Sequence, residues 1–149
     1  METIASENSY NIYHSFAVKA SPEKVFDAVS LPEQLVQWWP LKCSGKPAHG
    51  ETYNFYFGEK YDWLGKVVKC EPSKSFHIKM TKSDADWNPT SFGFDLEIMK
   101  EGVRLNFFHS NWPSCNQHFK HSSYCWALLL NGLKDYVEKG TVVPFEERN

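Results

Sequence analysis

The chain has 149 residues, of which 42% are hydrophobic, 23% are charged and 16% are aromatic, and its formal net charge is −2. A chain of this length is expected to form one domain, residues 1–149, which buries roughly 68–70% of its unfolded surface. The lack of a basic excess argues against nucleic-acid binding, because phosphates need cationic partners. No run of 18 apolar residues occurs, which excludes a membrane-spanning helix.

The N-terminus and the cysteines both favour a cytoplasmic protein. The first residues, METIASENSYN, are polar and lack the apolar segment of a secretory signal. The four cysteines, at positions 43, 70, 115 and 125, are therefore expected to remain thiols in a reducing compartment. They form no CxxC pair, which argues against a zinc ribbon or a redox motif.

The first 40 residues predict one strand followed by two helices. Residues 10–18 alternate between two faces, as a strand does. Ser21 is a good N-cap and Pro22 suits the first helical position, so a helix is predicted from there. The stretch LPEQLVQWW at 31–39 predicts a second, short helix that ends at Pro40, because proline disfavours helical geometry in the residue before it.

Five strands and one long helix are predicted to follow. The alternating apolar segments are 51–57, 60–72, 75–80, 91–99 and 103–109. Residues 117–139 place apolar side chains along one stripe at 3.6 residues per turn, and Gly140 is a plausible C-cap. The order predicts an α+β fold in which a curved antiparallel sheet wraps around the long C-terminal helix.

Four stretches resemble the activator of heat-shock-protein-90 ATPase homologue family. They are F-x-V-x-A-S-P-E-K-V-F-D-A (16–28), L-x-x-W-W (35–39), G-K-V-V-K-C-E-P (65–72) and W-x-x-L-L-x-x-L-K-x-Y-x-E-K-G (126–140). The resemblance implies a START-like, helix-grip fold with the order strand-helix-helix-five strands-helix and a groove between sheet and long helix. It implies no single activity, because relatives include chaperone activators, lipid and hormone carriers and cyclase-like enzymes.

Two adjacent tryptophans, Trp38 and Trp39, end the second predicted helix. Adjacent residues on a helix point about 100° apart, so both rings cannot enter one core by the same route. In a helix-grip fold the second helix lies by the mouth of the cavity. We predict that one ring seals the core and the other borders the mouth, without distinguishing which; ordinary packing of both is the alternative.

The predicted interior is suited to a small hydrophobic ligand. The aromatic content exceeds what a small core needs, and apolar walls with a few polar groups are the usual form of such a site. The candidate ligand-binding residues are His14, Trp38, Trp39, Tyr53, Phe55, Trp63, Phe94, Phe107, His109, Trp112, Ser122 and Trp126. Among them, His14, Tyr53 and His109 are inward polar groups that could orient a ligand, although a histidine on an apolar face is more often a hydrogen-bonded core residue.

The carboxylates do not predict a catalytic centre. General acid–base catalysis needs a positioned titratable group near a partner. Asp95 and Glu97 fall on the polar face of their strand, and Asp84 and Asp86 lie in a loop. No catalytic residue is therefore predicted.

A possible metal site lies at the start of the long helix. His118, His121 and Cys125 are three and four residues apart, a spacing that can hold zinc. A fourth ligand is not evident, although Cys115 or His109 could reach. No metal and no cofactor are predicted.

Three functions remain open at this point. The first is a non-catalytic domain that binds a small hydrophobic molecule. The second is a chaperone activator or stress-related interaction domain, with a heat-shock chaperone as partner. The third is a cyclase- or hydrolase-like enzyme. The sequence does not specify the oligomeric state.

Overall fold

The computed structural model describes residues 9–148. Its strands in that range are β1 (Tyr10–Val18), β2 (Lys42–Ser44), β3 (Thr52–Tyr56), β4 (Asp62–Glu71), β5 (Ser75–Lys82), β6 (Ser91–Met99) and β7 (Gly102–Trp112). Its helices are α1 (Pro22–Ser30), α2 (Pro32–Leu35) and α3 (Gln117–Lys139), followed by a 3₁₀ turn at Phe145–Glu147. Residues 1–8 lie outside the described residues. They make up most of the N-terminal stretch on which the argument against a secretory signal rests.

The strands form one antiparallel sheet in the order β1-β7-β6-β5-β4-β3-β2. This curved sheet and the long helix α3 confirm the predicted α+β, helix-grip architecture. Six strands rather than five follow the second helix in the described range, because β2 was not predicted. A strand of three residues is too short for alternation to show in the sequence. Within residues 9–148, β2 is an edge strand that pairs with β3, where Lys42 lies opposite Tyr56.

The helix ends are set by local hydrogen bonds. The Ser21 hydroxyl accepts the amide of Lys24 and begins α1, as predicted. Helix α2 ends at Leu35, four residues before the predicted end, so that prediction was wrong in extent. The chain continues in turns in which the amides of Trp38 and Trp39 both donate to the Leu35 carbonyl. After these turns the chain passes Pro40 and enters β2 at Lys42.

The core lies between the sheet and helices α1 and α3. Every second residue of β7, from Val103 to His109, is buried on the side that faces α3. Helix α3 contributes the buried residues Trp126, Leu130 and Leu133 to this core, and their spacing places them on one face of the helix. Although α3 has 23 residues, no helix within residues 9–148 is long and apolar enough to cross a membrane.

Candidate functional site

A cavity of about 430 Å³ opens at one end of the space between the sheet and α3. Its lining residues are Trp39, Phe57, Tyr61, Trp63, Trp87, His118, His121, Ser122, Cys125, Trp126, Leu129, Phe145, Glu146 and Arg148. Half of them are aromatic, and the volume is within the range of small-molecule sites. The lining thus combines the expected apolar walls with a small set of polar groups.

The aromatic wall is held by ring-to-ring contacts. Trp126 lies at its centre, with its ring centroid 4.9 Å from Trp39 and 4.4 Å from Phe107 behind it. On the other side, the centroids of Trp63 and Trp87 are 4.8 Å apart. Tilted ring pairs at these distances are favourable beyond the area they bury. The wall is therefore largely formed before any ligand enters.

A buried hydrogen-bond chain fixes the orientation of Trp126. The indole Nε1–H of Trp126 donates to His109 Nδ1 at 3.0 Å, so the neutral imidazole carries its proton on Nε2. That Nε2–H donates to Thr90 Oγ1 at 2.9 Å, and the Thr90 hydroxyl donates to the carbonyl of Trp87 at 2.6 Å. Burial, with a smaller contribution from His118, lowers the pKa of His109 to about 3, which keeps the ring neutral.

A second histidine, His118, lies on the cavity wall between two carboxylates. Its Nδ1 is 2.9 Å from Asp86 Oδ2, and its Nε2 is 3.9 Å from Asp84 Oδ2. Trp112 packs beneath it with the two rings nearly perpendicular. A carboxylate at Nδ1 orients an imidazole, which can then hydrogen-bond a ligand or exchange a proton with it. The sequence placed both aspartates in a loop and gave no sign that they meet His118.

The candidate metal ligands at the start of α3 do not form a metal site within the described residues 9–148. The Cys125 thiol is 3.3 Å from His121 Nε2, as their spacing of four residues on α3 allows. Burial raises the pKa of Cys125, which favours the thiol over the metal-binding thiolate. In the part of the chain that the structure describes, no three His, Cys, Asp or Glu side chains are gathered closely enough to hold a metal ion.

Four of the twelve predicted ligand-binding residues line the cavity: Trp39, Trp63, Ser122 and Trp126. The two adjacent tryptophans lie in different surroundings. Trp38 is buried in the core, where its Nε1–H donates to the carbonyl of Ala28 at 2.9 Å, and one edge borders a smaller cleft. Trp39 packs on Trp126 and faces the cavity.

The other predicted residues lie outside the cavity lining. Phe55, Phe94 and Phe107 are packed in the core, and Trp112 and His109 are fully buried behind the wall. Side-chain alternation correctly predicts which face of the sheet a residue occupies. It does not predict how far the packed core extends along that face, and here the core fills most of it.

Two predicted polar residues form structural hydrogen bonds away from the cavity. The Tyr53 hydroxyl donates to the carbonyl of Ser30 inside the core. His14, on the edge strand β1, places its Nε2 3.3 Å from the carbonyl of Ser123. Neither ring is therefore placed to orient a ligand in this cavity.

The remaining lining residues were not among the predicted ligand-binding residues. Those in the turn after β3, in the loop before β6 and on α3 were visible in the sequence but were not assigned to a ligand site; they are Phe57, Tyr61, Trp87, His118, His121, Cys125 and Leu129. Phe145, Glu146 and Arg148 lie beyond the last helix. No sequence pattern there predicted that the chain would return to the cavity.

Comparison with known proteins agrees with this architecture. The sequence model of the family described as "Activator of Hsp90 ATPase homolog 1-like protein" matches residues 19–138. The solution structure of the Aha1 dimer from Colwellia psychrerythraea is 32% identical with a TM-score of 0.81, and the match covers 89% of this chain and 98% of that one. No curated protein matches.

Two crystal structures at lower identity support the fold alone. A protein from Staphylococcus saprophyticus is 18% identical with a TM-score of 0.77, over 91% of this chain and 96% of its own. A protein from Mesorhizobium loti is also 18% identical with a TM-score of 0.77, over 89% and 100%. Because the family match extends over most of the chain, this protein belongs to the family of activator of Hsp90 ATPase homolog 1-like proteins.

Proposed function

We propose that this domain binds a small, largely flat hydrophobic molecule in the aromatic cavity and does not act on it chemically. The observation that carries the proposal is the cavity itself, about 430 Å³ with seven aromatic side chains in its lining. Planar rings that are already fixed by their neighbours bind a flat ligand with little loss of their own conformational entropy. Ser122, His118 and His121 offer hydrogen bonds to a polar group on the ligand.

The expected affinity is modest. A ligand that buries ~300 Å² of apolar area gains about 7 kcal/mol at ~25 cal/mol per Å². The loss of translational and rotational freedom offsets a large part of this gain. We therefore expect dissociation constants in the micromolar range, tight enough for a carrier or a sensor of an abundant metabolite.

Native mass spectrometry and tryptophan fluorescence test this proposal together. A retained ligand appears as extra mass in the native spectrum and is absent from the denatured one. Titration with the neutral probe N-phenyl-1-naphthylamine should quench the emission of the four cavity tryptophans. Leu129→Trp fills the cavity and should abolish binding, whereas the adjacent Leu128→Trp, outside the cavity lining, should preserve it. Absence of both extra mass and saturable quenching in the wild type would contradict the proposal.

The second candidate is a role as a chaperone activator, in which a heat-shock chaperone is the partner. The family description and the solved Aha1 dimer support it. The test is the ATPase rate of an Hsp90-type chaperone with and without this protein. Stimulation that survives Leu129→Trp would favour this role over ligand binding in the cavity.

We also propose a cytoplasmic location. All four cysteines are free: Cys43, Cys70, Cys115 and Cys125. Unpaired thiols are typical of reducing compartments. Cell fractionation with an antibody to the protein tests this assignment, and recovery from the secreted or envelope fraction would contradict it.

A further inference from the structure

The last eight described residues, 141–148, form a segment that returns to the cavity after Gly140, the C-cap of α3. We call it the C-terminal segment. It lies beyond residues 19–138, which the family model matches. It nevertheless contributes Phe145, Glu146 and Arg148 to the cavity lining. One wall of the site therefore comes from a part of the chain outside the matched family region.

Arg148 anchors this segment to the turns that follow α2. Its guanidinium donates to five main-chain carbonyls at 2.8 to 3.4 Å, those of Val36, Gln37, Trp39, Pro40 and Val143. Main-chain carbonyls in turns lack the regular donors of a helix or a sheet and need other hydrogen-bond partners. A planar guanidinium with five N–H groups can contact all five carbonyls, whereas an ammonium group has only three donors.

The anchor also determines what Arg148 cannot do. Its Nε and both Nη nitrogens donate to main-chain carbonyls, which leaves the guanidinium little hydrogen-bonding capacity for a ligand in the cavity. The Phe145 ring centroid lies 5.9 Å from the guanidinium carbon, so the anchor positions this ring in the cavity wall. Fixing Arg148 therefore fixes the part of the wall that a ligand touches.

The C-terminal segment separates two clefts that run along α3. The second cleft, about 200 Å³, is lined by Val143 and Glu147 from the opposite side of the segment. Leu129 and Arg148 border both clefts. Displacement of the segment would join the clefts into one longer groove next to Trp38 and Trp39.

We propose that the C-terminal segment is the specificity-determining wall of the site. In this arrangement Phe145 limits the length of the ligand, and Arg148 is the positioning residue that holds Phe145 in place. The inference rests on the proposed function in one respect, namely that the cavity binds a hydrophobic molecule. It adds that ligand size is set by a segment outside the matched family region.

The test compares three variants in the full chain. Phe145→Ala removes the ring from the cavity wall, and Arg148→Gln removes the anchor of the C-terminal segment. Val142→Ala is the matched control, since Val142 is exposed in the same segment and lines neither cleft. Thermal melting first verifies that each variant folds. Binding of naphthalene and of the longer N-phenyl-1-naphthylamine is measured by tryptophan quenching. Acrylamide quenching without ligand measures access to the cavity tryptophans.

We expect Phe145→Ala and Arg148→Gln to shift the ratio of the two affinities toward the longer probe by about tenfold, the effect of roughly 1.4 kcal/mol. Both should raise acrylamide quenching, and Val142→Ala should change neither quantity. If the wild type binds neither probe but the two variants raise acrylamide quenching, the wall is supported and the hydrophobic-ligand proposal fails. If both variants keep wild-type quenching and any binding ratio is unchanged, the inference is overturned. Phe145→Ala alone decides the matter if Arg148→Gln does not fold.

Discussion

The two ends of the space between sheet and helix use the same kinds of side chain for opposite purposes. At one end, Tyr53, Phe76 and Phe94 are almost completely buried, and Phe26 of α1 packs on Phe76. We call this the closed end. At the other, open end, Trp126 and its neighbours surround a cavity. The sheet carries aromatic side chains at both ends, and the two ends differ in the element that covers them.

The element that covers each end of the sheet determines which side chains there are accessible to a ligand. The closed end is capped by a regular helix whose backbone also supplies a hydrogen-bond acceptor for the Tyr53 hydroxyl, the carbonyl of Ser30. The open end is bounded by a loop, the first turns of α3 and the C-terminal segment. Changes at the closed end should therefore appear in stability, and changes at the open end should appear in binding.

The largest stability loss is expected at the closed end. Phe94 is 1% exposed and contacts the rings of Trp38, Phe92 and Phe107. Phe94→Ala removes a fully buried ring and should lower the free energy of unfolding by about 3–5 kcal/mol. Urea denaturation measures this change. A loss below about 1 kcal/mol would show that the closed end is not close-packed.

The next effect is a pH dependence that originates at His109. Burial lowers its pKa to about 3 in the folded protein, against the ordinary histidine value of about 6.5. Above pH 6.5 the ring is neutral in both states and contributes no pH dependence. Below it the unfolded chain binds a proton that the folded protein does not, so stability falls by up to about 1.4 kcal/mol per pH unit toward pH 3.

His109→Gln supplies the control for this pH dependence. Glutamine can accept from Trp126 and donate to Thr90 without titrating. The difference in unfolding free energy between wild type and variant should therefore narrow steadily as the pH falls from 6.5 to 4. Parallel stability curves for the two proteins would refute the assignment of a buried, neutral His109.

A smaller loss is expected from a single hydroxyl at the closed end. Tyr53→Phe keeps the ring contacts with Phe55 and Phe76 but leaves the carbonyl of Ser30 without its donor. The unfolding free energy should fall by about 1–2 kcal/mol. Thermal denaturation of the variant measures it, with unchanged probe binding as the internal check that the open end is unaffected.

Sequence patterns predicted the fold better than the site, for a physical reason. Alternation in β6 and β7, the capping residue Ser21 and the stripe of α3 each report local geometry, and such signals sufficed for the order of the elements except the short strand β2. The cavity depends on contacts between distant segments. His118 meets Asp86 across 32 positions, and Arg148 meets Val36 across 112.

Four residues that were proposed from the sequence as ligand-binding line the cavity, namely Trp39, Trp63, Ser122 and Trp126, although the sequence did not distinguish Trp39 from Trp38. His109 shows the opposite case. Its inward position was predicted, but its hydrogen bonds to Trp126 and Thr90 make it a support of the wall. Only the arrangement of neighbouring side chains separates a supporting residue from a lining residue.

The smallest stability effect should accompany a clear loss of binding at the open end. Tyr61 is 52% exposed, lines the cavity and contacts the ring of Trp63 at a centroid distance of 6.4 Å. Tyr61→Ala should change the unfolding free energy by no more than about 0.5 kcal/mol, as for most surface substitutions. It should weaken probe binding by about three- to tenfold, since an aromatic contact contributes roughly 0.5–1.5 kcal/mol. Tyr13→Ala, 69% exposed and outside the cavity lining, is the matched control and should leave binding unchanged. Equal effects of the two substitutions on binding would mean that the probe associates with exposed rings in general, and the distinction between the two ends would then concern packing alone.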